Sequence, residues 1–542
     1  MRDLLNKLAE FPTRFILAAI GMILFLSFNG RVHLFDPDEL MYAEYAREML
    51  LSGNFSQIQM NFIAFVGKNP LFTWLQAFSM KLFGINEFAA RFPNTIFGML
   101  SIVLVYNIGK NYFSKSFGVF WALLLGASFL PLLFYKSGVN DVVANYFVLL
   151  SIYWLFKISI KDEFESRKMM SARMFRFTVY SALASSLAML TSGAINMIII
   201  VFLITLVLLW NRGRITLDAK NLLIWLSIQV ALIMVWLYLE TRTSSAALVS
   251  KFVFDEFNHI TSPNKFDLTF LYSFIPVFLV GCFPSTVFMW HALKRNNNDT
   301  IHQLLFKRWM LALLAMVFAL FCFQTDHFVY QMHLAFFPVT FMAAYTLNGI
   351  YQGKIKWNFI YSFMLFVGAL IWFEASSAVI YIFAEQRFDI VERLVHLEYL
   401  QTISRMNVYW NLNMIAVPSI FLILIAISII LFYLKKNLYA IATVLTSSII
   451  FFSFVILYFA PKVDKYYQGE VYDFVAATKI ESPKYEISGF KTNIPNYYGG
   501  LLPDQKKLNT YLIHRKTEEI KFDTAAYDLI QEKVAYSFYK KK

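Results

Sequence analysis

Apolar runs recur along most of the 542-residue chain. A helix that crosses a membrane needs about 20 mostly apolar residues, and about thirteen segments approach that length. They lie near 14–30, 93–112, 117–135, 139–158, 177–193, 195–210, 221–239, 268–292, 309–323, 328–349, 357–383, 410–434 and 438–460. The pattern predicts an all-α polytopic membrane protein, because a helix satisfies its own backbone in lipid. Two stretches break the pattern. Segment 31–92 is too long for a turn, and Leu40, Met41, Tyr45, Met49 and Leu50 recur there at helical spacing, which predicts short amphipathic helices lying in the interface. Residues 461–542 carry charge and Gly/Pro punctuation, as in "SPKYEISGFKTNIPNYYGGLLPDQKK". They predict a small extramembrane α/β domain, so the expected division is 1–460 and 461–542.

Composition agrees. The chain is 58% hydrophobic and 15% charged, against about 25% charged in soluble domains. A net charge of +13 in such a chain is the mark of cytoplasmic loops rather than of nucleic-acid binding. Lys and Arg concentrate at the N-terminus and in alternate connections: Lys110 and Lys115; Lys157 to Arg176; Arg212 to Lys220; Lys294 to Arg308; Lys354 and Lys356; Lys435 and Lys436. This alternation places the N-terminus in the cytoplasm and the C-terminus outside, with an odd number of spans. The first apolar run lacks a small-residue cleavage site and reads as a retained span. Cys282 and Cys322 lie inside apolar runs and read as small buried residues, neither a disulfide nor a metal pair.

The other connections are different. "FDPDEL", "GKNPLF", "TSGA", "DEFNH" and "QTDHF", with segment 384–408, place acids, amides, His and Lys beside membrane ends on one side. In "FDPDEL", Asp36 suits an N-cap, Pro37 the first helical position, and Glu39 the third, completing a capping box. Asp38 would complement the helix dipole. The same geometry serves chemistry: an ionised carboxylate at a helix start can orient and deprotonate a hydroxyl. "DEFNH" has acid and His spacing but no third metal ligand. A divalent metal therefore has no support in the sequence, and no cofactor is expected.

"PDELMYAEYAREMLLSGNF…GKNPLFTWLQAFSMKLFGINEFAARFPN" resembles the first outer loop of bacterial aminoarabinose transferase-like and protein O-mannosyltransferase-like glycosyltransferases. The shared pattern is an Asp-Glu pair, Tyr-Ala, a Lys-Pro-Pro-Leu-x-x-Trp-Leu block, Leu-Phe-Gly and Ala-Arg-x-Pro. It runs in order over about 60 residues, which is far more specific than a lone acid pair. The resemblance implies the GT-C architecture, with many spans and an active site on the outer face of a bacterial inner membrane. It also implies a glycosyltransferase that takes a sugar from a polyprenyl-phosphate carrier and passes it to a glycolipid, glycan or protein acceptor, with inversion. The sequence shows neither a P-loop nor a dinucleotide glycine motif, which fits a lipid-linked donor.

On that resemblance Asp38 matches the acid at the reaction centre and Glu39 its partner. Lys68 matches the lysine that stabilises the leaving phosphate; its structural alternative is a snorkelling lysine. Arg91 and His327 join Lys68 as donor-phosphate residues, and Tyr42 and Asp141 as substrate-binding residues. Asp141 has a simpler reading as an ion-pair partner of Lys136. Two departures stand out. The lysine block reads Lys68-Asn69-Pro70, and the Thr-Lys-Gly-Pro of many family members is Thr191-Ser192-Gly193-Ala194. The rival functions are a transporter or flippase of lipid-linked glycans, which calls for mid-membrane charge and interrupted helices, and a catalytically silent subunit.

Overall fold

The computed structural model describes residues 2–65, 68–160, 167–193, 195–210, 219–243, 269–294, 299–321, 333–388 and 404–542, apart from 482, 501, 503–508 and 521. Helix α1 (Arg2–Leu26) leads into the first long connection. This folds as α2 (Asp38–Ser52), a hairpin of β1 (Gln59–Met60) and β2 (Ile63–Ala64), and α3 (Pro70–Phe83). Gly53 ends α2 in the left-handed region, at φ 68°, where glycine carries no Cβ penalty. Pro70 starts α3, where its missing N–H costs nothing. The Asn86 side chain caps α4 (Glu87–Tyr112) by accepting from the Ala89 N–H at 2.9 Å.

The bundle continues with α5 (Lys115–Ala127), α6 (Phe129–Lys136), α7 (Asp141–Ser159), α8 (Arg167–Ser192), α9 (Ile195–Trp210) and α10 (Ala219–Thr243). Next come α11 (Thr269–Gly281), α12 (Ser285–Phe288), α13 (Ile301–Phe321), α14 (Phe336–Tyr351), α15 (Phe359–Ala384), α16 (Ala416–Tyr433) and α17 (Asn437–Asp464). Among the described residues eight helices are long and apolar enough to cross a membrane, or ten if each bent pair counts as one. The protein is thus a multi-pass membrane protein, and not all of the expected thirteen spans are found among the described residues. Helices α1 and α9 are short in apolar length, and α8 carries Arg173 and Arg176 in its first half.

Segments 117–135 and 268–292, read as continuous, are each broken. Helices α5 and α6 meet at 70°, and the pair around Pro284 at 102°. Proline supplies no N–H to continue the second helix. The breaks touch: Ser128 Oγ and Ser285 Oγ, both buried, are 2.7 Å apart.

Beyond α17 the chain continues through one π-helical turn (Lys465–Gly469) into α18 (Glu470–Thr478). It then forms β3 (Lys484–Ser488), α19 (Ile494–Tyr497), β4 (Thr510–Arg515), β5 (Tyr527–Glu532) and β6 (Tyr536–Lys541). The sheet order is β3-β4-β6-β5, with β3 and β4 parallel and the other pairs antiparallel.

The largest departure from expectation concerns α2. It does not lie against lipid on one apolar face. Leu40, Tyr42, Tyr45 and Met49 share a core with Val471, Phe474, Tyr497, Ile513 and Phe538, so the first connection and the C-terminal sheet domain bury each other. The polar side of α2 is buried too. Arg47 donates to both Glu44 oxygens, at 2.7 and 2.8 Å, and Glu48 accepts the Asn61 and Phe62 N–H groups, both at 2.8 Å.

Candidate active site

Helix α2 begins at Asp38, and Asp36 does not cap it: no side chain bonds the first turn in the way a capping box requires. Glu39 reaches back instead to the Phe35 N–H, at 2.8 Å. The C-terminal region takes the Asp36 carboxylate, which accepts from the Asn493 N–H at 3.3 Å. Burial pushes the Asp36 carboxyl above its usual range, and the nearby Asp38 charge adds to the rise. Hydrogen bonds from Thr492 and the Asn493 backbone act against it.

The backbone before the turn is held the same way. Gln468, on the π-helical turn, donates to Leu34 O at 2.9 Å and to Asp464 at 2.8 Å, and accepts from the Asp36 N–H at 3.4 Å. The Tyr498 hydroxyl accepts from the Leu34 N–H at 2.8 Å. His33 bonds Asp464 at 2.8 Å and stacks on Tyr472, with ring centroids 3.6 Å apart. Segment 33–36 is therefore positioned by residues more than 400 places away in the chain.

Asp38 makes no hydrogen bond or ion pair among the described residues. It lines a cavity of about 550 Å³ with Asp36, Tyr42, Lys68, Asn140, Asp141 and Ser192. Five of the seven site residues expected from sequence thus meet in one space: Asp38, Glu39, Tyr42, Lys68 and Asp141. The Lys68 ammonium lies 5.6 Å from the Tyr42 ring centroid and has no carboxylate partner among the described residues. The cavity is built from helix ends on one side of the bundle: the starts of α2 and α7, the residues just before α3, and the end of α8.

Glu39 also lines the cavity, but its oxygens are already engaged. Arg91 Nε and Nη2 donate to it at 2.7 and 2.8 Å, and the Gly138 N–H at 2.6 Å. Arg91, grouped with Lys68 on sequence, stands apart from it. Its remaining donors go to the carbonyls of Asn29, Val32 and His33, at 2.7–2.9 Å, and both side chains are buried. A guanidinium with five hydrogen bonds has none left for a phosphate.

Asp141 does not pair with Lys136, whose ammonium donates to Ser27 O at 2.7 Å. Its neighbours are Ser192 Oγ at 3.3 Å and His333 Nε2 at 3.6 Å. Ser192 also accepts from Asn140, at 3.0 Å, so the residue that replaces the family lysine still belongs to the site. The other His333 nitrogen faces Asn145 at 2.7 Å, and the ring stacks on Phe134. His333 was not legible in the sequence, where "QMHLAFFP" looks like the start of a span. His327 and "DEFNH" fall outside the described residues. Among the described residues no group of three His, Cys, Asp or Glu could hold a metal ion.

Residues 67–239 match the family described as dolichyl-phosphate-mannose-protein mannosyltransferase. An uncharacterized protein of Aquifex aeolicus is 30% identical over 182 residues, 33% of this chain and 34% of that protein. An undecaprenyl phosphate-alpha-4-amino-4-deoxy-L-arabinose arabinosyl transferase of Proteus mirabilis is 32% identical over 121 residues, 22% of each chain. The chain thus spans about a third or less of the length of these curated relatives. Over nearly its whole length it superposes on the crystal structure of ArnT from Cupriavidus metallidurans. The TM-score is 0.70 for the apo state, covering 98% of both chains, and 0.69 for the form bound to undecaprenyl phosphate, covering 97% of both. Identity is 16% in each, so the likeness speaks for the fold. Family match and relatives thus make the chain similar to polyprenyl-phosphate-sugar transferases over a part of its length, and nearly the whole chain carries the fold of ArnT.

Proposed function

We propose that the protein is an inverting glycosyltransferase of the bacterial inner membrane that moves a sugar from a polyprenyl-phosphate carrier to an acceptor on the outer face. The observation that carries this reading is one cavity holding a carboxylate and an ammonium, Asp38 and Lys68, neither of which has an ion-pair partner among the described residues. Asp38 takes the proton of the acceptor hydroxyl as that oxygen attacks the anomeric carbon. The bond from the anomeric carbon to the phosphate oxygen breaks, and polyprenyl phosphate leaves with the electron pair. Lys68 stabilises the growing negative charge. Attack opposite the leaving group inverts the anomeric centre. Tyr42, Asn140, Asp141 and Ser192 supply an aromatic face and hydrogen-bonding groups for the sugar. Glu39 acts through Arg91 and Gly138, fixing the turn that presents Asp38.

The relatives' names divide between a hexose and an aminopentose. Besides Glu39, which Arg91 neutralises, three carboxylates, Asp36, Asp38 and Asp141, line the cavity with one lysine, and this excess favours a sugar that carries an ammonium group. The cytoplasmic N-terminus and outer C-terminus follow from the loop charges.

The test uses purified protein in nanodiscs, a panel of polyprenyl-phosphate sugars and a native membrane extract as acceptor, reading released polyprenyl phosphate. Release that requires acceptor, and that falls by about two to four orders of magnitude in Asp38→Asn, supports the reading. Release unchanged by Asp38→Asn would reduce the "FDPDEL" acids to a structural role. No release from any donor, with carrier lipid moved across the membrane instead, would favour the flippase.

A further inference from the structure

A second cavity, of about 440 Å³, lies behind the Glu39–Arg91 pair. It is lined by Arg31 and Lys136 at its polar end and by Phe28, Leu133, Ile456 and Leu457 along its apolar wall. Lys136 is buried, at 8% exposure. One of its three N–H donors serves Ser27 O, and no carboxylate lies within ion-pair distance among the described residues. Arg31 rests on the Phe28 ring, 4.4 Å from its centroid, and likewise has no carboxylate partner among the described residues. Glu39, the acid in the lining, is neutralised by Arg91. Two positive charges are therefore left over at the ends of the spans, one of them out of water. An uncompensated buried charge is costly, and an ionisable group at membrane depth points to a ligand or partner. Capping the end of α1 accounts for one Lys136 donor and leaves two.

We propose that this cavity holds a net-negative phospholipid of the surrounding bilayer, with its phosphate on Lys136 and Arg31 and its chains along Leu133, Ile456 and Leu457. Leu133 and Phe28 are exposed, at 39% and 45%, so the apolar wall opens sideways as a lipid chain requires. The occupant does not react. Asp38 is not in this lining, and the acid that is, Glu39, has its oxygens engaged. The lipid instead braces the site. Lys136 is followed by Ser137, whose carbonyl accepts from Asn94, and by Gly138, whose N–H donates to Glu39. A Cβ at Gly138 would stand 3.1 Å from Glu39 Cγ and Oε1, so 136–138 packs directly against the acid turn. Bilayer charge is thereby linked to the geometry of Asp38.

The experiment needs no turnover. Full-length protein is reconstituted in phosphatidylcholine nanodiscs with and without phosphatidylglycerol, and hydrogen exchange is followed over 27–33 and 136–139. Native mass spectrometry counts retained phosphatidylglycerol. Wild type should gain protection in both segments and retain the lipid. Lys136→Gln and Arg31→Gln should each lose the protection and weaken retention about tenfold or more. Arg31 is exposed at the cavity rim, so its variant decides the matter if Lys136→Gln does not fold. Equal protection in the variants, or equal protection by phosphatidylcholine alone, would overturn the inference. So would protection by inorganic phosphate, or displacement of the lipid by undecaprenyl phosphate, which would make the cavity a free-anion or carrier site.

Discussion

Arg91 separates a reading from sequence from a reading from geometry. As a phosphate ligand, its loss would weaken donor binding and leave the fold intact. As the buried bracket seen here, its loss strands Glu39 among backbone groups and frees the carbonyls of Asn29, Val32 and His33. Removing one partner of a buried ion pair costs about 3–5 kcal/mol. The Phe35 and Gly138 amides donate to Glu39 at 2.8 and 2.6 Å and report that loss locally. At 1.4 kcal/mol per decade, Arg91→Met should speed their exchange by roughly two to three and a half orders of magnitude. Peptides over 33–39 and 136–139 would carry the signal in hydrogen-exchange mass spectrometry. Arg91→Lys should fall between, since an ammonium cannot bridge Glu39 and three carbonyls in one plane. Adding Glu39→Gln to Arg91→Met should recover part of the loss, because no charge is then stranded. Unchanged exchange together with a raised donor KM would refute the bracket and restore Arg91 to the phosphate site.

Other residues give independent checks. Lys68→Met should lower kcat by about two to three orders of magnitude with exchange of 33–39 unchanged, measured as released polyprenyl phosphate. Gln468→Ala should lower kcat more than it raises KM, because it loosens the Leu34–Asp36 backbone and Gln468 does not itself line the cavity; steady-state kinetics at varied donor would show the split. Ser192→Lys should restore an ion pair to Asp141 and reduce any preference for an ammonium-bearing sugar, read by competition between amino and neutral sugar donors. Glu48 gives a pH signature. Burial pushes its carboxyl from 4.5 up to about 7, so between those values the native state keeps a proton that the unfolded chain has released. Stability should fall as pH rises through that window. Glu48→Gln should flatten the slope in thermal unfolding followed by tryptophan fluorescence.

Asp38, Glu39, Tyr42, Lys68 and Asp141, which line one cavity, could be picked out from sequence because their motifs are local: each lies in a short segment at a helix start or in the loop leading to one. The apolar segments were legible for the same reason, since lipid forces each helix to satisfy its own backbone. Their number was not, because broken helices such as the pair around Ser128 depend on contacts between serines that lie 157 positions apart. The burial of α2, the hold of Gln468 and Tyr498 on the acid turn, and the approach of His333 to Asp141 all join distant segments. Periodicity records which face is apolar but not what covers it. The amino-acid sequence by itself thus determined a membrane bundle with its polar chemistry at one set of helix ends. Tertiary structure alone decided which carboxylates stay available, because hydrogen-bond partners reach Glu39 and Asp36 from far along the chain and leave Asp38 open to the cavity.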